Sequence, residues 1–318
     1  MNQSTILLVG SGPMAIEYAK IFKSLGVALV VVGRGKSSAD KFTSETGLPV
    51  SLGGIDAWLA DAKNELPQHA VVAVGEKWIG AAAKKLMDCG VRHLLLEKPG
   101  GHDAADIRSV HAKANETGAA VYVGYNRRFY AAVEAAKKII QEDGGVTSFN
   151  FEFTEWGHVI SAIEKEEGVK EQWFLSNSTH VIDLAFYLGG TPAKLSAYST
   201  GRLDWHPVAS IFAGAGRTAA GAIFSYQANW EAPGRFSVEM LTRKHRLIFR
   251  PLEKLQIQKI GSVAVEMVEI DDSLDKDFKP GLYKQAEAFV GERTDVLPTI
   301  SDQVEMLDWY LRIRGDGN

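Results

Sequence analysis

The sequence predicts an α/β fold with two domains. The chain has 318 residues, about twice the commonest domain size, so it is long enough to divide. Up to about residue 123, short apolar runs alternate with longer amphipathic segments, which is the pattern of β-α-β units around a parallel sheet. After Gly124 short strand-like runs follow one another, which predicts a C-terminal α+β domain with a mostly antiparallel open sheet. We therefore expect domains over residues 1–123 and 124–318.

The elements of the first domain follow from these apolar runs. Strands of four to six residues are bounded by polar or glycine-containing turns, and two helical segments have apolar residues at three- and four-residue spacing. Right-handed crossovers bring the carboxyl ends of such strands to one edge of the sheet, where ligands bind. The predicted strands are Thr5–Val9, Ala28–Val32, His69–Val74, His93–Leu96 and Ala120–Val123, and the helices are Trp78–Cys89 and Asp103–Thr117.

The second domain begins with a predicted helix over Ala131–Glu142. Alternating Phe residues then predict a half-buried strand, and tight turns are expected at Arg243-Lys244 and Gly261. Two helices close the chain, the last with Ser301 as its N-cap. The predicted strands are Ser148–Glu155, Ala193–Ser199, Ala219–Ala228, Phe236–Thr242, His245–Arg250, Leu255–Ile260 and Val263–Ile270, and the closing helices are Gly281–Gly291 and Ser301–Ile313.

Composition excludes several classes of function. Hydrophobic residues are 46% and charged residues 23%, which is an ordinary globular balance. With 35 Lys and Arg against 39 Asp and Glu, the net charge of −4 disfavours nucleic acid and anionic membranes as partners. The single cysteine, Cys89, cannot form an internal disulfide, and no leader or membrane-spanning run is visible. We expect a cytoplasmic protein, with no metal because its histidines lack ligand spacing.

A glycine-rich turn follows the first strand and opens the first helix. Gly10-Ser11-Gly12-Pro13-Met14-Ala15 is the G-x-G-x-x-A form of the dinucleotide fingerprint. The first glycine permits the tight turn, the second lets the backbone approach a pyrophosphate, and the alanine lets helix and strand pack closely. In this position the motif predicts an N-terminal Rossmann domain that binds NAD(P).

The end of the second strand indicates which dinucleotide is bound. NAD sites usually place an acidic residue there for the ribose hydroxyls, and the segment after Val32 has none. Arg34 and Lys36 instead supply positive charge, and Ser37 and Ser38 supply hydroxyl donors that suit a 2′-phosphate. We therefore expect NADP to be preferred over NAD, although NAD stays possible.

A charged pair follows a strand that is predicted to be buried. Glu97-Lys98-Pro99 comes directly after Leu94-Leu95-Leu96, at the ligand edge of the sheet. A partly desolvated lysine beside a nicotinamide can pass a proton to or from a reacting hydroxyl. Lys98 is therefore our candidate acid/base residue.

These motifs together resemble the Gfo/Idh/MocA family, named for glucose–fructose oxidoreductase and inositol dehydrogenase. The resemblance implies a nicotinamide-dependent oxidoreductase acting on a sugar, cyclitol or nucleotide sugar, with Lys98 as acid/base and a Lys98–Pro99 bond that can be cis. It also implies that His180 meets the reacting hydroxyl. The matching segments are Gly10-x-Gly12-x-x-Ala15, Glu97-Lys98-Pro99, Gly124-Tyr125-Asn126-Arg127-Arg128-Phe129 and Ser178-Thr179-His180-Val181-Ile182-Asp183.

One departure from the family pattern concerns the catalytic histidine. Many members carry an Asp four residues before it, where this chain has Ser176, so a Lys–Asp–His relay is in doubt. Spacing does not decide whether Arg127 or Arg128 faces a ligand, and Trp173 fits a sugar platform and a core position equally well. We assign cofactor contacts to Gly10, Gly12, Pro13, Met14, Arg34, Ser37, Gly75, Glu97 and Asn126, and substrate contacts to Tyr125, Arg127, Trp173, Asn177 and Thr179.

The sequence thus predicts an NADP(H)-dependent oxidoreductase that transfers hydride to or from a carbon of a sugar or nucleotide sugar. The resemblance favours surface-polysaccharide sugar biosynthesis and a homodimer or homotetramer paired through the open sheet. Three alternatives remain: a dinucleotide-binding sensor or partner protein without turnover, an NAD-dependent cyclitol or sugar dehydrogenase, and a redox-assisted glycosidase or lyase.

Overall fold

A computed structural model describes residues 5–291 and 293–316. The chain divides into two compact units, the first formed by residues 1–126 and 277–305 and the second by residues 127–276 and 306–318. The division after Asn126 lies three residues from the predicted boundary. The second predicted domain differs from the structure over residues 277–305, because this segment belongs to the first unit. No helix in the described ranges combines the length and apolarity needed to span a membrane.

The first unit is built on a five-stranded parallel sheet in the order β2-β1-β3-β4-β5. All five strands were predicted to within two residues at each end. Helices α2 and α3 were not predicted, because α2 is rich in polar residues and α3 has only seven residues. The strands are β1 Ile6–Val9, β2 Leu29–Val32, β3 His69–Val72, β4 His93–Glu97 and β5 Ala120–Gly124, and the helices are α1 Pro13–Ser24, α2 Lys36–Thr46, α3 Gly54–Ala60, α4 Ile79–Asp88 and α5 Ala104–Thr117.

The register of the parallel sheet brings the loops that follow its strands to one edge. Val9 pairs with Val32 on one side and with Val72 on the other, and Val72 pairs with Leu96. These four residues are buried, as expected for a sheet covered by helices on both faces. The glycine-rich turn and the segments after β2, β3 and β4 therefore leave the sheet side by side.

The second unit contains an eight-stranded sheet in the order β13-β12-β11-β10-β6-β9-β8-β7. Its pairs are antiparallel except β6 with β9, which confirms the mostly antiparallel prediction. The strands are β6 Ser148–Glu152, β7 Pro192–Thr200, β8 Ile211–Thr218, β9 Ile223–Asn229, β10 Ser237–Leu241, β11 His245–Phe249, β12 Gln256–Lys259 and β13 Glu266–Met267, and the helices are α6 Ala131–Glu142, α7 Gly157–Ala162, α8 Thr179–Gly189 and α9 Ser273–Asp277.

A cluster of aromatic rings holds α8 against this sheet. Phe149, Phe151 and Phe153 are buried, as their alternation in sequence predicts. Phe186 of α8 makes edge-on contacts with Phe149 and Phe224, with ring centroids 5.9 and 5.1 Å apart. Such contacts add to the burial energy of large rings, so this side of the sheet is a rigid support for the start of α8.

Two further helices complete the chain, α10 Leu282–Val290 and α11 Ile300–Arg314. Gln285 of α10 donates a 2.8 Å hydrogen bond to the buried hydroxyl of Tyr18, and the Val123 amide donates to Pro298 O at 2.8 Å. These contacts bind residues 277–305 to the first unit. The chain returns to the parallel sheet, which a reading of strand-like and helix-like segments in order did not predict.

The structure corrects the predicted start of α11. The amide of Asp302 donates to Thr299 Oγ1 at 3.1 Å, and the amide of Thr299 donates to Asp302 Oδ2 at 2.7 Å. This reciprocal pair is a capping box, so Thr299 caps the helix and Ser301 lies inside its first turn.

Two strand predictions were also wrong. Strand β8 was missed because its Ala and Gly residues provide no alternation of large apolar side chains. The run Val263–Ile270 forms only the two-residue strand β13, and Val263 and Val265 are exposed. The turns at Arg243-Lys244 and Gly261 are confirmed as the connections of β10 to β11 and of β12 to β13.

Candidate functional site

The glycine-rich turn has the geometry that a pyrophosphate requires. Gly10 has φ +125°, and a Cβ there would lie 2.2 Å from the carbonyl oxygen of Ala73, so only glycine fits. A Cβ on Gly12 would meet no atom of the described chain within 4 Å, so the second glycine faces open space. Helix α1 begins at Pro13 without a capping side chain, and its first amides suit an anion. These residues fit a dinucleotide.

The segment after β2 supplies the expected basic group. Arg34 is exposed, and its guanidinium carbon lies 5.0 Å from the ring centre of Trp78, which follows β3. Ser38 Oγ lies 2.9 Å from Ser11 Oγ, which joins the start of α2 to the glycine-rich turn. Ser37 is exposed in the first turn of α2, whereas the Lys36 ammonium is paired with Asp40 at 3.0 Å. Arg34 and Ser37 are therefore both accessible at the end of β2.

Glu97 is a buried carboxyl at the end of β4. It is 8% exposed and accepts a 2.9 Å hydrogen bond from the Tyr18 hydroxyl, which in turn accepts from Gln285. Burial raises the pKa of Glu97, and the adjacent Lys98 charge opposes that rise. Burial and the nearby Glu97 also raise the pKa of Tyr18 well above its ordinary value, so Tyr18 is a neutral donor.

Lys98 directly follows this buried carboxyl, and its side chain is half-buried. The peptide bond between Lys98 and Pro99 is cis, as the family resemblance indicated. Pro99 O accepts a 3.0 Å hydrogen bond from Gln303, which fixes the turn after the lysine. Lys98 thus lies at the ligand edge of the sheet, and its charge acts on the adjacent Glu97.

Three other predicted residues of this unit have different surroundings. Gly75 follows β3 and is exposed at the ligand edge. Asn126 is buried and donates to Pro280 O at 2.9 Å, so its amide group binds residues 277–305. Tyr125 is 1% exposed, and its hydroxyl donates to Gln303 at 3.1 Å. Tyr125 is thus held within the first unit by its hydroxyl, and its substrate contact stays a prediction.

Contacts within the second unit distinguish the two consecutive arginines, Arg127 and Arg128. Arg128 donates to both carboxylate oxygens of Asp183, at 2.8 and 2.5 Å, and lies over the ring of Tyr187. Such a bidentate pair is strong, and it occupies the guanidinium of Arg128. Arg127 makes no such pair, and its Nη1 is buried with no hydrogen-bond partner among the described residues. Arg127 is therefore the arginine available to a ligand.

A buried carboxyl that the sequence analysis did not single out lies three residues beyond β6. Glu155 is 1% exposed and accepts hydrogen bonds from Asn177 Nδ2 at 2.7 Å and Ser178 Oγ at 3.0 Å. Burial raises its pKa, and these two hydrogen bonds oppose the rise. The Ser176 hydroxyl donates to Trp173 O at 3.3 Å. A carboxyl thus reaches the segment of residues 176–178 from the loop after β6.

The remaining predicted residues lie around the start of α8. His180 is the second residue of this helix and is 7% exposed. Thr179 is fully buried, and its hydroxyl donates to Leu175 O at 2.6 Å, so its predicted substrate contact stays a prediction. Trp173 is half-buried and meets the ring of Trp205 edge-on, with centroids 6.3 Å apart. Asn177 is half-buried, donates to Glu155, and lies just before the helix that contains His180.

Comparison with known proteins agrees with this fold. No protein-family model matches the chain. Mouse trans-1,2-dihydrobenzene-1,2-diol dehydrogenase is 24% identical over 162 residues, covering 50% of this chain and 47% of that protein. The match to this curated relative thus spans about half of its length.

Several solved structures match over nearly the whole chain. UDP-N-acetylglucosamine 3-dehydrogenase GnnA from Acidithiobacillus ferrooxidans has a TM-score of 0.74 at 16% identity, covering 99% of this chain and 97% of its own. Levoglucosan dehydrogenase bound to NADH and levoglucosan has a TM-score of 0.76 at 18% identity, covering 97% and 96%. An Agrobacterium radiobacter oxidoreductase in complex with NAD+, L-tartaric acid and magnesium has a TM-score of 0.76 at 12% identity, covering 100% and 98%. The predicted fold, a Rossmann domain followed by an α+β domain, is confirmed.

Proposed function

We propose that the chain is an NAD(P)-dependent oxidoreductase of the Gfo/Idh/MocA family that acts on a sugar or a nucleotide sugar. The observation that carries the proposal is the half-buried Lys98 directly after β4, on the sheet edge that also holds the glycine-rich turn. A dinucleotide site and a proton-transferring lysine on one edge are the two components that oxidation of a carbinol requires. The similarity to GnnA, a UDP-N-acetylglucosamine 3-dehydrogenase, and to levoglucosan dehydrogenase supports a sugar-like substrate.

Lys98 is the proposed acid/base residue. The nicotinamide, when bound, supplies or accepts the hydride. Lys98 Nζ takes the hydroxyl proton when the substrate is oxidised and returns it when a carbonyl is reduced. The charge of Lys98 opposes the rise that burial causes in the pKa of Glu97, and the hydrogen bond from Tyr18 fixes the Glu97 carboxyl beside it.

His180 is the proposed second contact to the reacting hydroxyl. Its imidazole is the side chain whose ordinary pKa suits proton exchange near neutral pH. Glu155 holds Asn177 and Ser178, the residues that lead into the helix turn of His180. We therefore infer that Glu155 orients this turn, a task for which a family aspartate would stand at position 176.

NADP is the proposed cofactor because of Arg34. Its exposed guanidinium, stacked on Trp78 and close to the start of α2, suits a 2′-phosphate and has no acidic neighbour in the segment that follows Val32. NAD is the alternative, supported by the NADH and NAD+ complexes of similar structures. A role in surface-polysaccharide sugar biosynthesis is consistent with reductive use of NADPH.

Turnover by a lysine variant tests the proposal. A panel of free sugars, cyclitols and UDP-sugars is incubated with NADP+ or NAD+, and the absorbance of the reduced nicotinamide is followed. Lys98→Ala is expected to abolish turnover while NADPH affinity stays within about a few-fold of wild type. Lys41→Ala, an exposed lysine on α2, is the matched control and keeps full activity. A fully active Lys98→Ala protein would remove this residue from the mechanism.

A dinucleotide-binding sensor without turnover is the second candidate, because Ser176 replaces the family carboxylate. Tight NADPH binding with no oxidation or reduction of any panel member would favour it. A net hydrolysis or elimination product with unchanged cofactor would instead indicate a redox-assisted glycosidase or lyase.

We also propose that copies of the chain pair through the open sheet as a homodimer or homotetramer. Tyr198 on β7 is 72% exposed and Ile223 on β9 is 55% exposed, which supports an apolar surface on the eight-stranded sheet. Light scattering on the purified protein gives the number of copies, and a monomer would refute the proposal. A cytoplasmic location is part of the same proposal.

A further inference from the structure

Two guanidinium groups of the second unit lie over one aromatic ring. The guanidinium carbon of Arg127 is 4.9 Å from the ring centre of Phe236, and that of Arg235 is 4.4 Å from the same centre. Both cations therefore contact the same side chain, and the charge of Arg235 contributes to lowering the pKa of Arg127. An anion that contacts both guanidinium groups would relieve the repulsion between them.

The cluster lacks a full complement of negative charge. Glu155 Oε2 is 3.8 Å from Arg235 Nη1, so one buried carboxyl stands near two cations, and its other oxygen accepts from Asn177 and Ser178. Burial and the approach of Arg127 act in opposite directions on Tyr130, whose pKa is raised to about 12, so its phenol is neutral. Glu253 is exposed.

The surroundings of Arg127 indicate a missing ligand. Desolvation is the largest effect on its pKa, which it lowers, so this cation has lost much of its contact with water. Its Nη1 is also without a hydrogen-bond partner among the described residues. A buried donor on a charged group is costly when unsatisfied, and such donors are usually explained by a missing ion, water or ligand.

An exposed aromatic side chain stands beside the two cations. Trp156 is 47% exposed, its indole N–H donates to Gly234 O at 2.9 Å, and Arg235 lies 4.7 Å from the centre of its ring. A Trp fixed in this way offers a flat apolar surface of the kind that packs against a sugar ring. Cations and an aromatic surface side by side match a sugar that carries a negative group.

We propose that Arg127 and Arg235 bind an oxyanion carried by the substrate, with Trp156 against the sugar to which it is attached. The inference rests on the proposed function in taking the ligand to be a sugar derivative, and it narrows the substrate class to anionic sugars. The oxyanion is a phosphate or a carboxylate. The first is found in sugar phosphates and nucleotide sugars, the second in sugar acids.

Equilibrium binding tests this proposal without requiring turnover. Calorimetric titrations of the full chain use D-glucose, D-glucuronate and α-D-glucose 1-phosphate at low ionic strength, each with and without NADPH. At least one anionic probe is expected to bind about tenfold or more tightly than glucose. A preference for glucuronate indicates a sugar acid, and a preference for glucose 1-phosphate indicates a phosphate. Added NaCl weakens the preferred probe and leaves glucose unchanged.

Three variants identify the residues responsible. Arg127→Met and Arg235→Met are each expected to remove most of the preference for the anionic probe, and Arg127→Lys to restore part of it because a charge remains without the planar fork. Arg235 is half exposed, so its replacement preserves the fold even where Arg127→Met does not. Arg217→Met, an exposed arginine on β8, is the matched control and keeps the wild-type preference.

Two results would overturn the proposal. One is equal binding of glucose and both anionic probes by the wild-type protein, and the other is an undiminished preference in folded Arg127→Met and Arg235→Met proteins. A wild-type protein without turnover or dinucleotide binding would refute the proposed function. The sugar titrations would still be interpretable, because they report anion binding directly.

Discussion

The two glycines of the dinucleotide turn give opposite predictions for the same substitution. Gly10 has φ +125°, and an added Cβ would lie 2.2 Å from the Ala73 carbonyl oxygen. Gly10→Ala is therefore expected to destabilise the apo protein by roughly 1–3 kcal/mol from backbone conformation alone, and further from the clash. Gly12 has φ −82° and ψ −174°, which alanine adopts readily, and no described atom lies within 4 Å of the added Cβ.

Gly12→Ala is thus expected to keep the stability of the apo protein within about 1 kcal/mol, which allows for alanine being a poorer helix cap than glycine. Its Cβ would occupy the space through which a pyrophosphate approaches the first amides of α1. The affinity for NADPH should fall by about tenfold or more, roughly 1.4 kcal/mol.

Urea unfolding of the apo proteins and fluorescence titration with NADPH separate these effects. Wild-type NADPH affinity in Gly12→Ala would refute the assignment of this turn to the pyrophosphate. Wild-type stability in Gly10→Ala would refute the claim that the turn requires glycine at its first position.

Two further predictions concern a carboxyl and a helix cap. Burial raises the pKa of Glu155, so the folded protein binds the carboxyl proton of Glu155 more tightly than the unfolded chain does. The stability that this proton contributes is therefore lost as the pH rises from 4.5, the ordinary pKa of a glutamate, through the raised pKa of the folded state. Glu155→Gln should show a smaller loss of stability over that range in urea melts, and exposed Glu65→Gln should match wild type. Thr299→Ala should cost about 1 kcal/mol of unfolding free energy by removing the capping box of α11, whereas Ser301→Ala should cost less; equal effects would contradict the revised cap.

The parallel sheet was predictable because its signals are local and strong. Each strand of the first unit is an apolar run that the helices bury on both faces, and the turn after β1 requires glycine at Gly10 for a reason visible in the motif. Strand β8 was not predictable in this way, because its Ala and Gly residues pack against β7 and β9 through backbone pairing rather than through large side chains. The placement of residues 277–305 depends on contacts with Tyr18 and Val123, which are distant in sequence.

In the candidate site, too, some residues were predictable from local sequence and others depended on contacts between distant segments. Lys98 was identified because a charged pair directly after a buried strand is unusual. Glu155 was not identified, because its place at the end of a predicted strand does not reveal its burial or its hydrogen bonds to residues near His180. Sequence left the choice between Arg127 and Arg128 open, since only the fold brings Asp183 to one of them.

Parallel titrations of the wild-type protein with NADPH and NADH test the central claim most directly. Fluorescence of the seven Trp residues reports binding, and the thermal shift that a ligand must produce confirms it. We predict that both dinucleotides bind and that NADPH binds about tenfold or more tightly, a preference that Arg34→Ala removes. Equal or tighter binding of NADH would contradict the role of Arg34 and favour sugar or cyclitol oxidation. Binding of neither dinucleotide would contradict the oxidoreductase itself.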